Sequence, residues 1–388
     1  MLAIENIGNI ARGHHFLLPG RLDTPGRTAV GGRSVLNLAS KNYLGLLDHP
    51  SIQSRIDPAF RSPDIPIGQD ERRLMRDSLR CRLEDNLGRF LQKKSAYVAE
   101  NCMLLEGAIP IHGLFTSTEE VIQDEGSFSL AHPNDRSAFC HQIFRHNDVD
   151  HLESILKECR RPNCLVIVDA LYPETGDLAP IPQIVSLCKR YDAKLAVDES
   201  LSLGVLGSSG RGIQEHFELC DNDIEIKFGR LSNAFPSSCF FLAASSSLVR
   251  QLKLANEAEP TTRERSLSEF SSAIAGLEIL INEPNRVGQL QDNARAFQTG
   301  VRLMGFQVRK MISPLVTIAL RSCEEAAMVA QNCLKRGLFV ASDATSPGVP
   351  KSCIQLHFSA IHSTQDIKFA LRVFSSIAHE LGYKISFE

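Results

Sequence analysis

Two short apolar runs flanking an amphipathic segment constrain the fold of this chain more than any other feature. The runs cover residues 164–169 and 194–198, and apolar residues recur at near-helical spacing across residues 180–191 between them. Strand, helix and strand in this order predict a βαβ unit and a parallel α/β sheet. Functional residues of such sheets lie at the carboxyl ends of the strands. In this chain those ends carry Asp169 and Asp198.

The segment Asn282-Glu283-Pro284-Asn285 is expected to break a long helix and to separate two domains. We therefore predict an N-terminal arm over residues 1–35, a large α/β domain over residues 36–284, and a smaller α+β domain over residues 285–388. Within the small domain, strands are predicted at residues 313–318 and 354–358, and a closing amphipathic helix at residues 363–380.

Composition excludes several classes of function. The 388 residues are 43% hydrophobic and 22% charged, which is ordinary for a soluble globular protein. A net charge of -3 gives no reason to expect nucleic acid as a partner. No transmembrane helix is predicted, because no stretch approaches about eighteen consecutive apolar residues.

The 11 cysteines and 12 histidines show no metal-binding pattern. There is no CxxC pair and no HExxH motif, so no metal site is predicted. Reduced thiols are expected in preference to a disulfide framework or a zinc site.

Several short motifs carry a resemblance to a known family. They are Leu38–Asp48 (LASKNYLGLLD), Asp198–Gly207 (DESLSLGVLG) with Gly210-Arg211-Gly212 and Glu215-His216, Phe144–Asp148 (FRHND) and Leu171–Gly176 (LYPETG). Together they resemble the α-oxoamine synthases, a branch of the fold-type I pyridoxal-phosphate (PLP) enzymes. Within that branch the chain is most similar to the subunit 1 group of serine palmitoyltransferases. The resemblance runs from about Leu36 to near the C-terminus.

The resemblance implies a fold-type I PLP transferase, with a large, mostly parallel α/β sheet domain and a smaller C-terminal α+β domain. Active relatives carry a Ser-Lys-Ala turn whose lysine holds the cofactor. In this chain the matching turn is Ser232-Asn233-Ala234. An amide cannot form a Schiff base, so Asn233 marks a lost catalytic position.

Other positions of the implied site have also changed. Leu201 matches a histidine that lies beside cofactor and substrate, and leucine cannot transfer protons. Gln355 matches an arginine that grips the substrate carboxylate, so a charge-assisted contact is lost. Phe128 matches a histidine that stacks on the pyridine ring, where a phenyl ring could stack or simply fill the core. Asp198 matches the aspartate that pairs with the pyridine nitrogen, and its alternative role is to cap a neighbouring loop.

Two features bear on the alternatives. Lys227 is the nearest other lysine, six residues before Asn233, and would need a substantial register shift to take its place. Residues 64–75, where relatives have a glycine-rich loop that crosses to the partner's site, contain a single glycine.

The leading hypothesis is a non-catalytic subunit of serine palmitoyltransferase, an acyltransferase of sphingolipid biosynthesis. It would form a heterodimer with a lysine-bearing subunit 2 that binds PLP covalently and condenses L-serine with palmitoyl-CoA to 3-ketosphinganine. The resemblance then implies no covalent PLP on this chain. It also implies a location at the cytosolic face of the endoplasmic reticulum membrane, through the partner. The alternatives are a non-enzymatic binding or regulatory protein with this fold, and an active homodimer that uses Lys227.

Overall fold

A computed structural model describes residues 26–47, 49–55, 68–99, 120–127, 140–159, 164–173, 176–256, 266–308, 313–341 and 352–383. The strands are β1 Arg27–Val30, β2 Arg33–Leu38, β3 Ser95–Ala99, β4 Glu120–Asp124, β5 Cys140–Phe144, β6 Cys164–Asp169, β7 Ala193–Asp198, β8 Ile226–Arg230, β9 Phe240–Ala244, β10 Gln307–Val308, β11 Leu315–Ala319, β12 Leu338–Val340 and β13 Cys353–His357. The helices are α1 Pro50–Arg55, α2 Gln69–Phe90, α3 Val149–Glu158, α4 Ile181–Arg190, α5 Ile213–His216, α6 Ser246–Asn256, α7 Ser266–Asn282, α8 Asn285–Leu303, α9 Cys323–Lys335 and α10 Thr364–Glu380. Within these ranges, no helix combines the length and the apolar character that crossing a bilayer requires.

The described residues divide into two compact units. The first takes those within Met1–Asp48, Pro173–Asp177 and Asn285–Glu388, and the second those within His49–Tyr172 and Leu178–Pro284. Residues 36–47 are thus grouped with the C-terminal segment, although the sequence predicts that they begin the large domain. The reason is that β2 pairs in parallel with β12, with Leu36 opposite Leu338.

A seven-stranded sheet forms the centre of the second unit. Its order is β3-β9-β8-β7-β6-β4-β5, in which neighbours from β8 to β5 are parallel and β9 is antiparallel to both of its neighbours. The predicted βαβ unit is present as β6, α4 and β7. All six residues of β6 are buried, as expected for a strand that is covered on both faces of a parallel sheet.

The strand before the expected lysine position is shorter than the composition around it indicates. Residues 223–226 look strand-like, but β8 begins only at Ile226. The preceding segment is held as a turn, because the Asp223 carboxylate accepts a hydrogen bond from the Cys220 amide at 3.0 Å. The Glu225 carboxylate also accepts one from the Leu195 amide at 2.7 Å. These side-chain acceptors compete with ladder formation.

In the first unit, a three-stranded antiparallel sheet packs its apolar face against helices. β11 lies between β10 and β13, and Val316, Ile318, Ile354 and Leu356 join one buried cluster with α8 and α10. The predicted closing helix is α10. Ser363 caps it and forms a capping box with Asp366, which satisfies amide groups that the first helical turn leaves free.

The cysteines do not all remain reduced. Cys159 and Cys164 form a disulfide, so the expectation of reduced thiols is wrong for this pair. They are five residues apart in sequence, and the fold brings the end of α3 next to the start of β6. Sequence spacing alone does not encode that contact.

Two buried histidines make the first unit sensitive to acid. His357 and His362 are both buried, and the His357 Nδ1 atom lies 2.9 Å from the Tyr43 hydroxyl. Burial, with a smaller effect from Lys41, lowers the pKa of His357 to about 3. Burial also lowers the pKa of His362 to about 4, although Asp366 opposes the shift. Both rings are therefore neutral at pH 7.

We predict that the free energy of unfolding falls as pH drops below about 6.5, where the same histidines bind protons in the unfolded chain. Each buried ring should contribute a loss of about 1.4 kcal/mol per pH unit, hence about 2 kcal/mol at pH 5. Replacing His357 by Gln should remove one such contribution from the difference between pH 7 and pH 5. Urea denaturation at both pH values measures it.

The control is His379→Gln, which changes an exposed ring on α10. That variant should keep the pH dependence of the wild type. Equal pH dependence in the His357→Gln and wild-type proteins would contradict the assignment.

Candidate functional site

The carboxyl ends of four parallel strands form one edge of the central sheet. β4, β6 and β7 end in Asp124, Asp169 and Asp198, and β8 ends in Arg230. Asp169 and Asp198 are register partners. The two aspartates that the sequence placed at strand ends therefore lie side by side, at the edge where parallel α/β sheets bind ligands.

Asp198 holds the loop that follows β7. Its Oδ1 atom accepts a hydrogen bond from the Ser200 amide at 2.7 Å. Its main-chain oxygen accepts one from the Ala170 amide at 2.9 Å. The carboxylate thus caps its own loop, which supports the structural role weighed for Asp198. Pairing with a pyridine nitrogen remains a prediction.

Asn233 closes the turn that follows β8. It is the last residue of a single 3₁₀ turn, Leu231–Asn233. Its side-chain Nδ2 donates a hydrogen bond to the Ser200 main-chain oxygen at 2.7 Å, and the Ser200 hydroxyl accepts one from the Arg230 amide at 2.9 Å. The side chain at the lysine position therefore points back to the β7 loop and fixes it.

The approach of these two loops depends on Gly229. A Cβ atom at this position would lie 2.7 Å from the Ser200 nitrogen and 3.1 Å from the Asp198 Oδ1 atom. Both separations are shorter than an ordinary van der Waals contact. Glycine is therefore required where β8 passes the Asp198 loop.

The remaining predicted site residues are distributed differently. Leu201 follows Ser200 in the β7 loop and is partly exposed, so it stands next to the position that Asn233 contacts. Phe128 lies outside the described residues. Gln355 belongs to the first unit, where it lies opposite Thr317 in the β11–β13 pair.

Gln355 is a buried amide with hydrogen-bonding capacity to spare. It is 5% exposed, and within the described residues neither its Nε2 atom nor the Thr317 Oγ1 atom has a hydrogen-bond partner. Buried polar atoms of this kind are usually satisfied by water or by a ligand. A neutral amide and a hydroxyl can bind a polar group there, but they cannot supply the charge that an arginine would.

Lys227 does not replace the missing lysine. Its side chain is 1% exposed, and its Nζ atom donates to the Leu91 main-chain oxygen at 3.2 Å, at the end of α2. Burial lowers the pKa of Lys227, and the nearby charge of Glu199 partly offsets this. The ammonium group is thus held in the interior by α2 rather than presented at the strand ends.

Glu199 is a second buried ionisable residue, close enough to Lys227 for the charge of each to shift the pKa of the other. Burial raises its pKa, and Lys227 lowers it in turn. The carboxylate accepts hydrogen bonds from the Ile213 amide, at 3.0 Å to Oε2, and from the Ser202 hydroxyl. A Cβ atom at Gly212 would lie 2.2 Å from the Glu199 Oε2 atom. Glu199 therefore organises the loop between β7 and α5.

The structure adds one polar cluster that the site prediction missed. At the end of β4, the Asp124 Oδ1 atom lies 2.9 Å from the His146 Nδ1 atom, and its Oδ2 atom accepts from the Asn147 amide at 2.8 Å. The His146 ring packs edge-on against Tyr172 with centroids 4.4 Å apart. The two motifs FRHND and LYPETG were the available signal, because this cluster is where they meet.

This cluster fits a positioning role. The other ring nitrogen of His146 lies 3.3 Å from the Asn147 Nδ2 atom, so both ring nitrogens are engaged. A Cβ atom at Gly126 would lie 2.7 Å from the His146 Nδ1 atom. The contacts fix the loops after β4 and β5 and leave little freedom for proton transfer.

Neither Asn233 nor Lys227 fits PLP held by a Schiff base. Asn233 has no nucleophilic amine and is already hydrogen-bonded to Ser200, and Lys227 is buried against α2. Asp198, as a carboxylate, is still a residue type that can pair with a pyridine nitrogen. Asn233 therefore lacks the amine that covalent attachment requires, and the amine of Lys227 is directed at α2.

Comparison with known proteins now gives the family. A sequence profile described as "Aminotransferase class I and II" matches residues 138–374. The chain belongs to this family. Its architecture is the fold-type I PLP transferase fold, as the sequence motifs predicted.

Curated relatives in this family are α-oxoamine synthases. The chain is 31% identical to the 8-amino-7-oxononanoate synthase of Petrotoga mobilis, over 91% of each chain. It is 29% identical to the enzyme of the same name from Thermosipho melanesiensis, over 91% of this chain and 90% of that one.

Solved structures show the same fold. Serine palmitoyltransferase from Sphingomonas wittichii superposes with a TM-score of 0.80 at 22% identity, covering 98% of this chain and 97% of that one. The 8-amino-7-oxononanoate synthase from Francisella tularensis gives a TM-score of 0.69 at 16% identity, covering 90% of this chain and 99% of that one.

Within this family fold, we predict that Glu199 and Lys227 stabilise the protein as a pair. Replacing Glu199 by Gln should lower the free energy of unfolding by about 1 to 3 kcal/mol, because the Ile213 amide and the Ser202 hydroxyl lose a charged acceptor and Lys227 loses a nearby opposite charge. The double variant Glu199→Gln with Lys227→Met should lose less than the sum of the two single losses. Urea denaturation of the four proteins measures this coupling. Strictly additive losses would show that the two charges do not interact.

Proposed function

We propose that this chain is a non-catalytic subunit of a serine palmitoyltransferase. It would pair with a lysine-bearing subunit 2 that holds PLP and condenses L-serine with palmitoyl-CoA to 3-ketosphinganine. The observation that carries the proposal is Asn233, whose amide occupies the lysine position and donates to the Ser200 oxygen at 2.7 Å. Chemistry that needs a covalent amine would then belong to the partner.

Two other changes support the same assignment. Leu201 can neither accept nor donate a proton beside the Asp198 loop. Gln355 offers an uncharged amide where active relatives are expected to hold a carboxylate with arginine. Each change alone could belong to an enzyme of altered specificity. Together with Asn233, they would leave the chain without an amine for the cofactor, without a proton-transferring group at the Leu201 position and without a charged contact for the substrate carboxylate.

The proposed role follows from how fold-type I sites are built. Such sites form between two protomers, so a chain can lose its own site and still complete that of its partner. In this chain, hydrogen bonds from Asp198, Ser200 and Asn233 fix the β7 and β8 loops against each other. A fixed edge of this kind suits a wall of a shared site. Attachment to the endoplasmic reticulum membrane, if the assembly has it, would come through the partner.

Two observations favour other assemblies. Residues 69–75 belong to α2, whereas active relatives are expected to have part of a glycine-rich crossing loop there, which favours a binding or regulatory protein that completes no site. The 31% identity to an 8-amino-7-oxononanoate synthase favours a lysine-bearing partner of that kind. Both alternatives retain a chain without its own Schiff-base lysine.

We predict that the purified chain alone forms no covalent adduct with PLP. After incubation with PLP and borohydride, mass spectrometry should find no phosphopyridoxyl group on Lys227, because its amine is buried and bonded to the Leu91 oxygen. Exposed surface lysines such as Lys157 provide an internal control for non-specific reaction. An adduct confined to Lys227 would overturn the assignment and favour an active homodimer.

Co-expression tests the partnership. A lysine-bearing subunit 2 expressed with this chain should co-purify with it and convert L-serine and palmitoyl-CoA to 3-ketosphinganine, whereas either chain alone should show no turnover. Removing the partner's Schiff-base lysine should abolish the activity of the pair.

The alternatives predict different results for the complex purified from the native source and for the co-expressed pair. Co-purification from the native source without any lysine-bearing homologue would favour the binding protein. Formation of 8-amino-7-oxononanoate, and not of 3-ketosphinganine, by the native complex would reassign the partner. Turnover that survives loss of the partner's lysine would contradict the proposal.

A further inference from the structure

A thiol and carboxylate cluster lies at the amino-terminal edge of the central sheet, opposite the edge described above. Glu120 is the first residue of β4 and Cys164 is the first residue of β6, and the two are register partners. Cys159 is the residue that ends α3. Three different elements therefore deliver three side chains of metal-ligating type to one place.

The ligand atoms of these side chains are close together. One oxygen of Glu120 and the Sγ atoms of Cys159 and Cys164 all lie within 4.8 Å of one another. The Cys159 Sγ atom is 3.0 Å from the Glu120 Oε2 atom. The other oxygen of Glu120 accepts a hydrogen bond from the side-chain amide of Gln142, which orients the carboxylate toward the sulfurs.

The backbone spacing suits a shared ion. The Cα atoms of Cys159 and Cys164 are 7.3 Å apart, which is beyond the usual disulfide range of about 4.4 to 6.8 Å. Two thiolates on one zinc ion are each about 2.3 Å from the metal, so they tolerate a wider separation of the backbone. A Cys-x₄-Cys spacing also falls within the range of zinc ligands.

The three side chains of the cluster are largely shielded from solvent. Glu120 and Cys164 are 4% and 6% exposed, and Cys159 is half-buried. Without a cation both cysteines stay protonated in the reduced protein, because two thiolates beside a buried carboxylate would concentrate negative charge in the interior. A divalent thiophilic ion supplies that cation, and the half-buried side of the cluster gives it access.

We propose that, in the reduced protein, Glu120, Cys159 and Cys164 bind a zinc ion, with water in the fourth position. The disulfide is the metal-free, oxidised form of the same site. A thiol reductant gives two electrons to the S–S bond and becomes a disulfide itself, and its protons convert the cysteines to thiols. Zinc binding then displaces both thiol protons. The ion would fasten the end of α3 to the starts of β4 and β6.

Zinc content after reduction tests the site directly. The full chain is reduced, loaded with zinc, freed of excess metal by gel filtration and analysed by inductively coupled plasma mass spectrometry. We expect about one zinc ion per chain. The Cys159→Ser and Cys164→Ser variants should each lose most of it, and Glu120→Gln should weaken binding at least tenfold. The matched control is Cys220→Ser, which removes an exposed free thiol and should bind zinc as the wild type does.

Cobalt provides a second measurement that does not depend on stability. Cobalt bound by thiolates absorbs in the near ultraviolet, and this band should be present in the wild type and in Cys220→Ser but reduced in either ligand-cysteine variant. Circular dichroism on the same samples identifies any variant that fails to fold. The proposal is overturned if the reduced wild type binds no metal. It is equally overturned if folded Cys159→Ser and Cys164→Ser bind zinc with unchanged stoichiometry.

Discussion

The geometry of the candidate site depends on the hydrogen bonds of Ser200. Its amide donates to Asp198, its hydroxyl accepts from the Arg230 amide, and its main-chain oxygen accepts from Asn233. One residue thus connects the strand-end aspartate with the end of β8 and with the lysine position. Because all three polar groups are used, the two loops are held without help from a ligand.

This arrangement gives the side chain of Asn233 a structural role. A short amide reaches the Ser200 oxygen at 2.7 Å and satisfies a carbonyl in the loop. A catalytic lysine has the opposite requirement, since its amine must stay available to a cofactor. On the proposed assignment, Asn233 thus provides an internal hydrogen bond where an active relative would need an available nucleophile. Leu201, next to that bond, continues the change from reactive to structural side chains.

The sequence predicts the central part of this fold well because the signals there are local. The apolar runs of β6 and β7 and the helix between them have lengths and periodicities that favour a βαβ unit, and the capping residue Ser363 marks the start of α10. The family motifs add the fold type. β8 begins only at Ile226, because the carboxylates of Asp223 and Glu225 accept hydrogen bonds in a segment of strand-like composition.

The long-range contacts could not be predicted from spacing. Residues 36–38 join a strand some three hundred residues later in sequence, so their unit is fixed by pairing rather than by local pattern. The disulfide partner of Cys159 and the burial of Lys227 against α2 are likewise consequences of packing. For Gln355, the family motif indicated the position, but only the structure reveals that its amide nitrogen and the Thr317 hydroxyl have no hydrogen-bond partner in the described part of the chain.

The carboxyl edge of the central sheet illustrates how, on the proposed assignment, a chain can lose reactive side chains and keep its fold. Active sites often retain groups that oppose stability, because unpaired charges and available nucleophiles are what reaction requires. At the carboxyl edge of this sheet, Asn233 and Ser200 instead hydrogen-bond to each other. Lys227 and Glu199 are both buried in the interior. Selection on this chain would then act on the shape of that edge rather than on its reactivity. Because shape is set by Gly229, Asp198 and Ser200, these residues should tolerate change less than Leu201, which only occupies space beside them.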